Sequence, residues 1–430
     1  MSSGRRLAAL LVALALVALP AVALRAFCVG RTCDRTGEVT ARVPFCPLPE
    51  EIRNEVAAGF YAGRSPDVLG VASGGIRSGR VAWPSTGILV DPSVPVAFFG
   101  AGVDPSAELP DGMALDRIAP TLEEVLGFDR PHPEVRTGFA VGGLASGQAH
   151  KLVVEIVWTG VGPAELADEQ SWPSTFGIVG DGPFTMKGNA GSLPLDPVAI
   201  LTTIGTGGLP SKHGMTGELV RNDSGEVVPP WGPGSPPSVI ATLPDDLDEA
   251  LQQSPRVALI APDISSRGLI GGTWYFPHDR DDVLVDPPGD PASGVTGLLR
   301  HGYGVDEVPD VIGVVLDGPI RRLDALTGRI IEEVGARRPD TTFVFTTTGS
   351  AAPLGSIQAE RVIGDLDPAS GSVVEAAVPG GLFLDQGALA QGGLTSGDVV
   401  DAMLSLEPDG GGKLFADAFP GFAVSFARYC

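Results

Sequence analysis

Residues 204–214 read IGTGGLPSKHG, in which Thr206, Gly207, Pro210, His213 and Gly214 make a Thr-Gly-x-x-Pro-x-x-His-Gly pattern. Outward from it lie apolar runs with strand character: VPVAFFG at 94–100, KLVVEIVW at 151–158, RVALIAP at 256–262, DVIGVVL at 310–316 and TTFVFTT at 341–347. These runs are largely unbroken, as expected for strands buried on both faces. Between the last two, IRRLDALTGRIIEEVGA at 320–336 puts Ile320, Leu323, Leu326, Ile330 and Val334 on one helical face. Strands alternating with amphipathic helices predict an α/β fold whose sheet is covered on both sides. The Pro- and Gly-rich segments 228–237 and 286–294 are expected to be surface loops inside one domain, since strands resume on either side.

The start of the chain sets its compartment. Arg5 and Arg6 precede an uncharged apolar run from Leu7 to Leu24, interrupted only by Pro20. The segment 1–24 therefore reads as a signal peptide, cleaved after Ala23 of an A-x-A pattern, or as an anchor if it is kept. Either way the chain is expected to be secreted or held at the cell envelope. In an oxidising compartment four cysteines read as two disulfides. Cys28, Cys33 and Cys46 crowd one end and Cys430 stands at the other, so at least one bridge is expected to tie the ends together. Cys28 with Cys33 and Cys46 with Cys430 is the preferred pairing among three connectivities.

A hydrophobic content of 43% and a charged content of 19% over 430 residues are enough for a large core. The net charge of -23, with no local Lys/Arg cluster, argues against nucleic acid or an anionic membrane as partner. A membrane contact is expected only through the N-terminal segment. No G-x-S-x-G elbow or P-loop occurs.

With these runs in place, IGTGGLPSKHGMTG resembles the segment around and after the nucleophile in the alkaline phosphatase and nucleotide pyrophosphatase/phosphodiesterase superfamily. KLVVEIVWTGVGP (151–163) is similar to the first strand of that family, and ALIAPDISSRGLIGG (258–272) to the next strand and its phosphate-contacting turn. DVIGVVLDGP and TTFVFTTTGS resemble two later strands whose ends carry metal ligands. The likeness is closest to the phosphate-irrepressible type. GFYAGRSPDVLGV (59–71), VPVAFFGAGV (94–103) and DRIAPTLEEVLGFDRP (116–131) resemble the stretch that normally closes the family domain, yet here they come first. The resemblance thus implies a circularly permuted alkaline-phosphatase-like α/β/α sandwich. A Cys-containing stalk would occupy 25–46 and a single domain 47–430. Within it, 47–139 would correspond to the C-terminal part of the family and 140–430 to its N-terminal and central part.

The family uses two zinc ions and a hydroxyl nucleophile, and the resemblance maps these roles onto residues that cannot fill them. The first ligand Asp falls on Thr159, the nucleophile on Pro197, and an Asp-His pair on Thr348 and Gly349. The loop carrying two further ligands is shortened to Asp317-Gly318-Pro319, and a His expected before VPVAFF is absent from Pro84, Ser85, Thr86 and Gly87. Of the phosphate contacts only Arg267 remains, as a candidate anion-binding group. The expectation is a pseudoenzyme without a cofactor that has a binding or structural role in the cell envelope, with an unknown protein or small-molecule ligand as its partner. The alternative is an active phosphatase or phosphodiesterase with a relocated metal site drawn from His278, Asp279, Asp281, Asp282 and His301. Against that, H-D-x-D-D in such a segment reads as a solvated acidic loop. His213 reads as structural, ending the helix after the nucleophile.

Overall fold

The computed structural model describes residues 43–72, 92–147, 150–272, 274–275, 281–287, 290–350, 373–378, 380–406 and 415–430. In chain order the strands are β1 (Val68–Ala72), β2 (Ser93–Gly100), β3 (Leu152–Trp158), β4 (Phe184–Asn189), β5 (Val220–Arg221), β6 (Val227–Val228), β7 (Val257–Ala261), β8 (Asp282–Val285), β9 (Asp310–Leu316), β10 (Thr341–Thr347), β11 (Val374–Val378), β12 (Gly381–Leu384) and β13 (Phe415–Pro420). Seven of them form one mixed sheet in the order β4-β2-β10-β3-β9-β7-β8. The block from β10 to β8 is parallel, while β2 runs antiparallel to both β10 and β4.

The unbroken apolar runs are explained by this placement, because every residue of β3, β7, β9 and β10 is buried. Along β3, Val153 and Val157 enter one core while Leu152, Val154, Ile156 and Trp158 enter the other. The first core takes residues of the helices Ile118–Leu126, Pro197–Thr206 and Leu243–Ala250, and the second takes residues of Pro291–Arg300 and Ile320–Arg337. This is an α/β architecture with a helical layer on each face. In the second core Trp158 meets Phe345 and Trp172 edge-on at centroid distances of 5.0 and 6.2 Å. Such pairs contribute about 0.5–1.5 kcal/mol each beyond area burial.

A four-stranded antiparallel sheet, β11-β12-β1-β13, stands apart with its own core, in which Val68, Leu382, Val399, Met403 and Phe415 meet. Nothing in the strand pattern of the sequence anticipated it. Gly70 in β1 lets the helix Ser396–Ser405 approach, since a β-carbon there would stand 2.7 Å from both Met403 and Phe415.

The chain ends are joined as expected, by a disulfide between Cys46 and Cys430 with a Cα–Cα distance of 5.1 Å. Beside it the buried Phe45 donates its backbone N–H to Asp417 Oδ2 at 2.8 Å and meets the Phe419 ring at 4.9 Å. Cys28, Cys33, the segment 1–24 and most of the expected stalk lie outside the described residues.

Two local expectations need correction. The segment 286–294 is not all loop: the helix Pro291–Arg300 starts inside it, with Asp290 accepting the Ser293 N–H and Pro at the first helical position. The helix Pro197–Thr206 ends at Gly207 in a left-handed conformation, so His213 instead closes a separate short turn, Pro210–His213.

Candidate functional site

The carboxyl ends of β3, β9 and β10 are adjacent, and the loops that leave them carry the positions expected to have held metal. The Thr159 N–H donates to Leu316 O at 2.9 Å, and the Thr348 N–H donates to Trp158 O at 2.9 Å. Thr348 is fully buried, and its Oγ1 accepts the Gly160 N–H at 3.0 Å. Both threonines therefore act as stitches between strand ends. Thr347 Oγ1, also buried, finds no partner among the described residues. Beyond Thr348, Ser350 donates to Glu165, whose carboxylate also accepts the Gly162 N–H.

Gly349 adopts φ 76°, and a β-carbon there would stand 3.0 Å from Leu195 Cδ1. Leu195 is 1% exposed and lies two residues before Pro197. Thr159, Thr348, Gly349 and the segment leading to Pro197 are thus brought to one edge of the sheet, but a leucine side chain packs where a polar cleft would need open space.

Pro197 is the first helical residue of Pro197–Thr206, and its N-cap is Asp196. Asp196 Oδ1 accepts the N–H groups of Val198 and Ala199, and Oδ2 accepts that of Glu218 at 2.9 Å. Burial pushes its carboxyl up to about 6. With three backbone donors on two oxygens, this side chain ends a helix and has no geometry for attack. The crevice beside it, lined by Phe60, Leu69, Leu193, Asp196, Thr216 and Phe419, measures about 20 Å³. That is room for roughly one water.

His213 is fully buried. Its Nδ1 accepts the Met215 N–H at 3.1 Å, which leaves Nε2 as the donor toward Thr203 Oγ1 at 3.1 Å. Burial pushes its pKa down to about 3, so the ring stays neutral and pins the short turn to the preceding helix.

Among the described residues the other sequence candidates do not converge. Arg267 bonds Asp281 Oδ2 at 2.7 Å and Gly271 O at 2.6 Å, so its guanidinium closes its own loop. Asp282 opens the edge strand β8 and accepts from Tyr303 Oη at 2.9 Å, while the exposed His301 contacts Gly297 O. His278 and Asp279 lie outside the described residues, as do Pro84 to Gly87. Among the described residues no group of three or more His, Cys, Asp or Glu is placed to hold a metal ion. The donor set that is described does not fit the two zinc ions that the resemblance implies.

Sequence reasoning missed an interior polar network. Asp246 Oδ2 accepts from Arg130 Nε at 2.7 Å and Arg136 Nη2 at 2.6 Å, and Asp246 Oδ1 accepts from Tyr275 Oη at 2.8 Å. Arg130 also donates to Thr206 O and Ala241 O, so it fastens the C-terminus of the helix Pro197–Thr206 to the start of Leu243–Ala250. Glu155, in the middle of β3, is 1% exposed, and its Oε2 has no partner among the described residues. Burial pushes it up to about 8, against a smaller opposing pull from Arg130. A charged letter inside KLVVEIVW was the available signal for it.

No family model matches the chain, and no curated protein matches it. Among solved structures, phosphonoacetate hydrolase from Sinorhizobium meliloti 1021, in complex with phosphonoacetate, is similar at 16% identity with a TM-score of 0.28. The match covers 43% of this chain and 52% of that one, about half its length. At that level the likeness is weak and carries nothing about chemistry.

Proposed function

We propose that the chain is an exported protein on an alkaline-phosphatase-like scaffold that no longer transfers phosphoryl groups and works by binding in the cell envelope. The observation that carries this reading is the packing of Leu195 against Gly349, at the sheet edge where the resemblance would put a nucleophile and metal ligands. Two-metal phosphoryl transfer needs anionic and imidazole ligands around an open site. Threonines in backbone hydrogen bonds and a leucine supply neither.

The same reading includes a circular permutation. Support comes from β2, an N-terminal strand seated antiparallel beside β10 in the main sheet, and from the disulfide that joins residues 384 apart. Permutation is tolerated where chain ends meet at a surface.

The test is zinc content of the purified protein together with turnover of p-nitrophenyl phosphate and bis-p-nitrophenyl phosphate, with and without chelator. The expected result is substoichiometric zinc and no chelator-sensitive turnover. One to two zinc ions per chain with hydrolysis abolished by EDTA would refute the reading.

A further inference from the structure

The 3-10 helix Gly421–Tyr429 buries Val424 and packs Ala423 and Ala427 on the core, which turns Phe422, Phe426 and Tyr429 to solvent. Their exposures are 59%, 54% and 70%, and the rings of Phe426 and Tyr429 lie 6.3 Å apart. The Cys46–Cys430 bridge holds the segment around Cys46 at the end of this helix. Single exposed apolar residues need no explanation, but a cluster of aromatic rings on one short element marks a contact surface.

Charge and connectivity narrow the occupant. Within 421–429 the only charged residue is Arg428, in a chain of net charge -23. The segment itself, two Phe and a Tyr with no acidic side chain, has the composition of a bilayer interface, where aromatic rings settle at headgroup depth. The sequence also supplies what would bring a bilayer there, since 7–24 is an uncharged apolar run of membrane-spanning length. The 18 residues 25–42 that follow it reach at most roughly 60 Å when extended. With the run kept as an anchor, a tether this short, leading to Pro44 and the Cys46–Cys430 bridge, raises the effective concentration of any membrane surface at the patch.

We propose that Phe422, Phe426 and Tyr429 bed into the headgroup region of a zwitterionic phospholipid bilayer to which the N-terminal apolar run holds the chain. The contact is apolar, and the acidic remainder of the molecule stays off the surface. It does not depend on whether the sheet edge hydrolyses phosphate esters.

The experiment uses the full chain reconstituted in phosphatidylcholine vesicles, with Phe426→Trp as reporter and Val135→Trp, at an exposed site outside the patch, as control. Both replace exposed side chains, and near-UV circular dichroism checks that the fold is kept. With brominated phosphatidylcholine, the fluorescence added by F426W is expected to be quenched at least threefold more than that added by V135W. Equal quenching overturns the proposal. So does protection at position 426 that appears only at high protein-to-lipid ratio, which would assign the face to a second copy of the chain.

Discussion

Glu155 shows how one residue can work against the element that holds it. Its carboxyl is neutral in the fold up to about 8, against 4.5 for the free group, so folding favours the protonated form. Its contribution is most favourable below pH 4.5 and is lost progressively as pH rises toward 8, above which the loss is constant. At pH 7 the penalty is on the order of 3 kcal/mol. Glu155→Gln is therefore expected to raise the urea midpoint at pH 7 to 8 and to leave it nearly unchanged near pH 4.5. A variant whose pH dependence of stability matches the parent would show that this carboxyl does not drive it. Asp246 has the opposite character, because it answers two buried guanidinium groups and a phenol. It stabilises through partners that would be stranded without it.

At the scale of the element, the helix Pro197–Thr206 is decided by its first residues. Pro197 supplies a preset φ and no N–H, and Asp196 takes the next two donors. Its third bond, to the Glu218 N–H, reaches beyond the helix. Asp196→Ala is expected to cost about 2 kcal/mol, since it removes a cap and strands three backbone donors, two of them buried. Asp196→Asn keeps an acceptor and is expected to cost less than half as much at pH 7, because it also removes a carboxylate that burial disfavours. Thermal melts of the two variants at pH 7 check the order. Equal losses would mean that an amide cannot replace the carboxylate at this cap.

For the whole molecule, the disulfide closes a loop across a sequence separation of 384, and the chain-entropy model sets an upper bound on the order of 6 kcal/mol for its effect. Cys430→Ser is expected to cost about 2–5 kcal/mol, read by urea unfolding. Hydrogen exchange should rise first in 44–48 and 415–430, where Phe45, Asp417 and Phe419 carry the junction. Unchanged stability would show that these contacts join the ends without the bond.

Much of the main sheet was legible because a strand buried on both faces must be apolar at nearly every position, and five such runs became β2, β3, β7, β9 and β10. The helix Ile320–Arg337 was legible for the same kind of reason, its buried Leu323, Leu326, Ile330 and Val334 recurring at helical spacing. The short strands of the small sheet were not, because β1 and β13 come from opposite ends of the chain and their pairing has no local signal. Nor could spacing reveal that Leu195 packs against Gly349, 154 residues away, or that Asp281 is held by Arg267 rather than shared with His301. By itself, the sequence determined the period of its elements and which residue types were on hand for chemistry. Only the tertiary structure decided which of them meet, because contacts between distant segments depend on how the layers pack and not on any pattern within a segment.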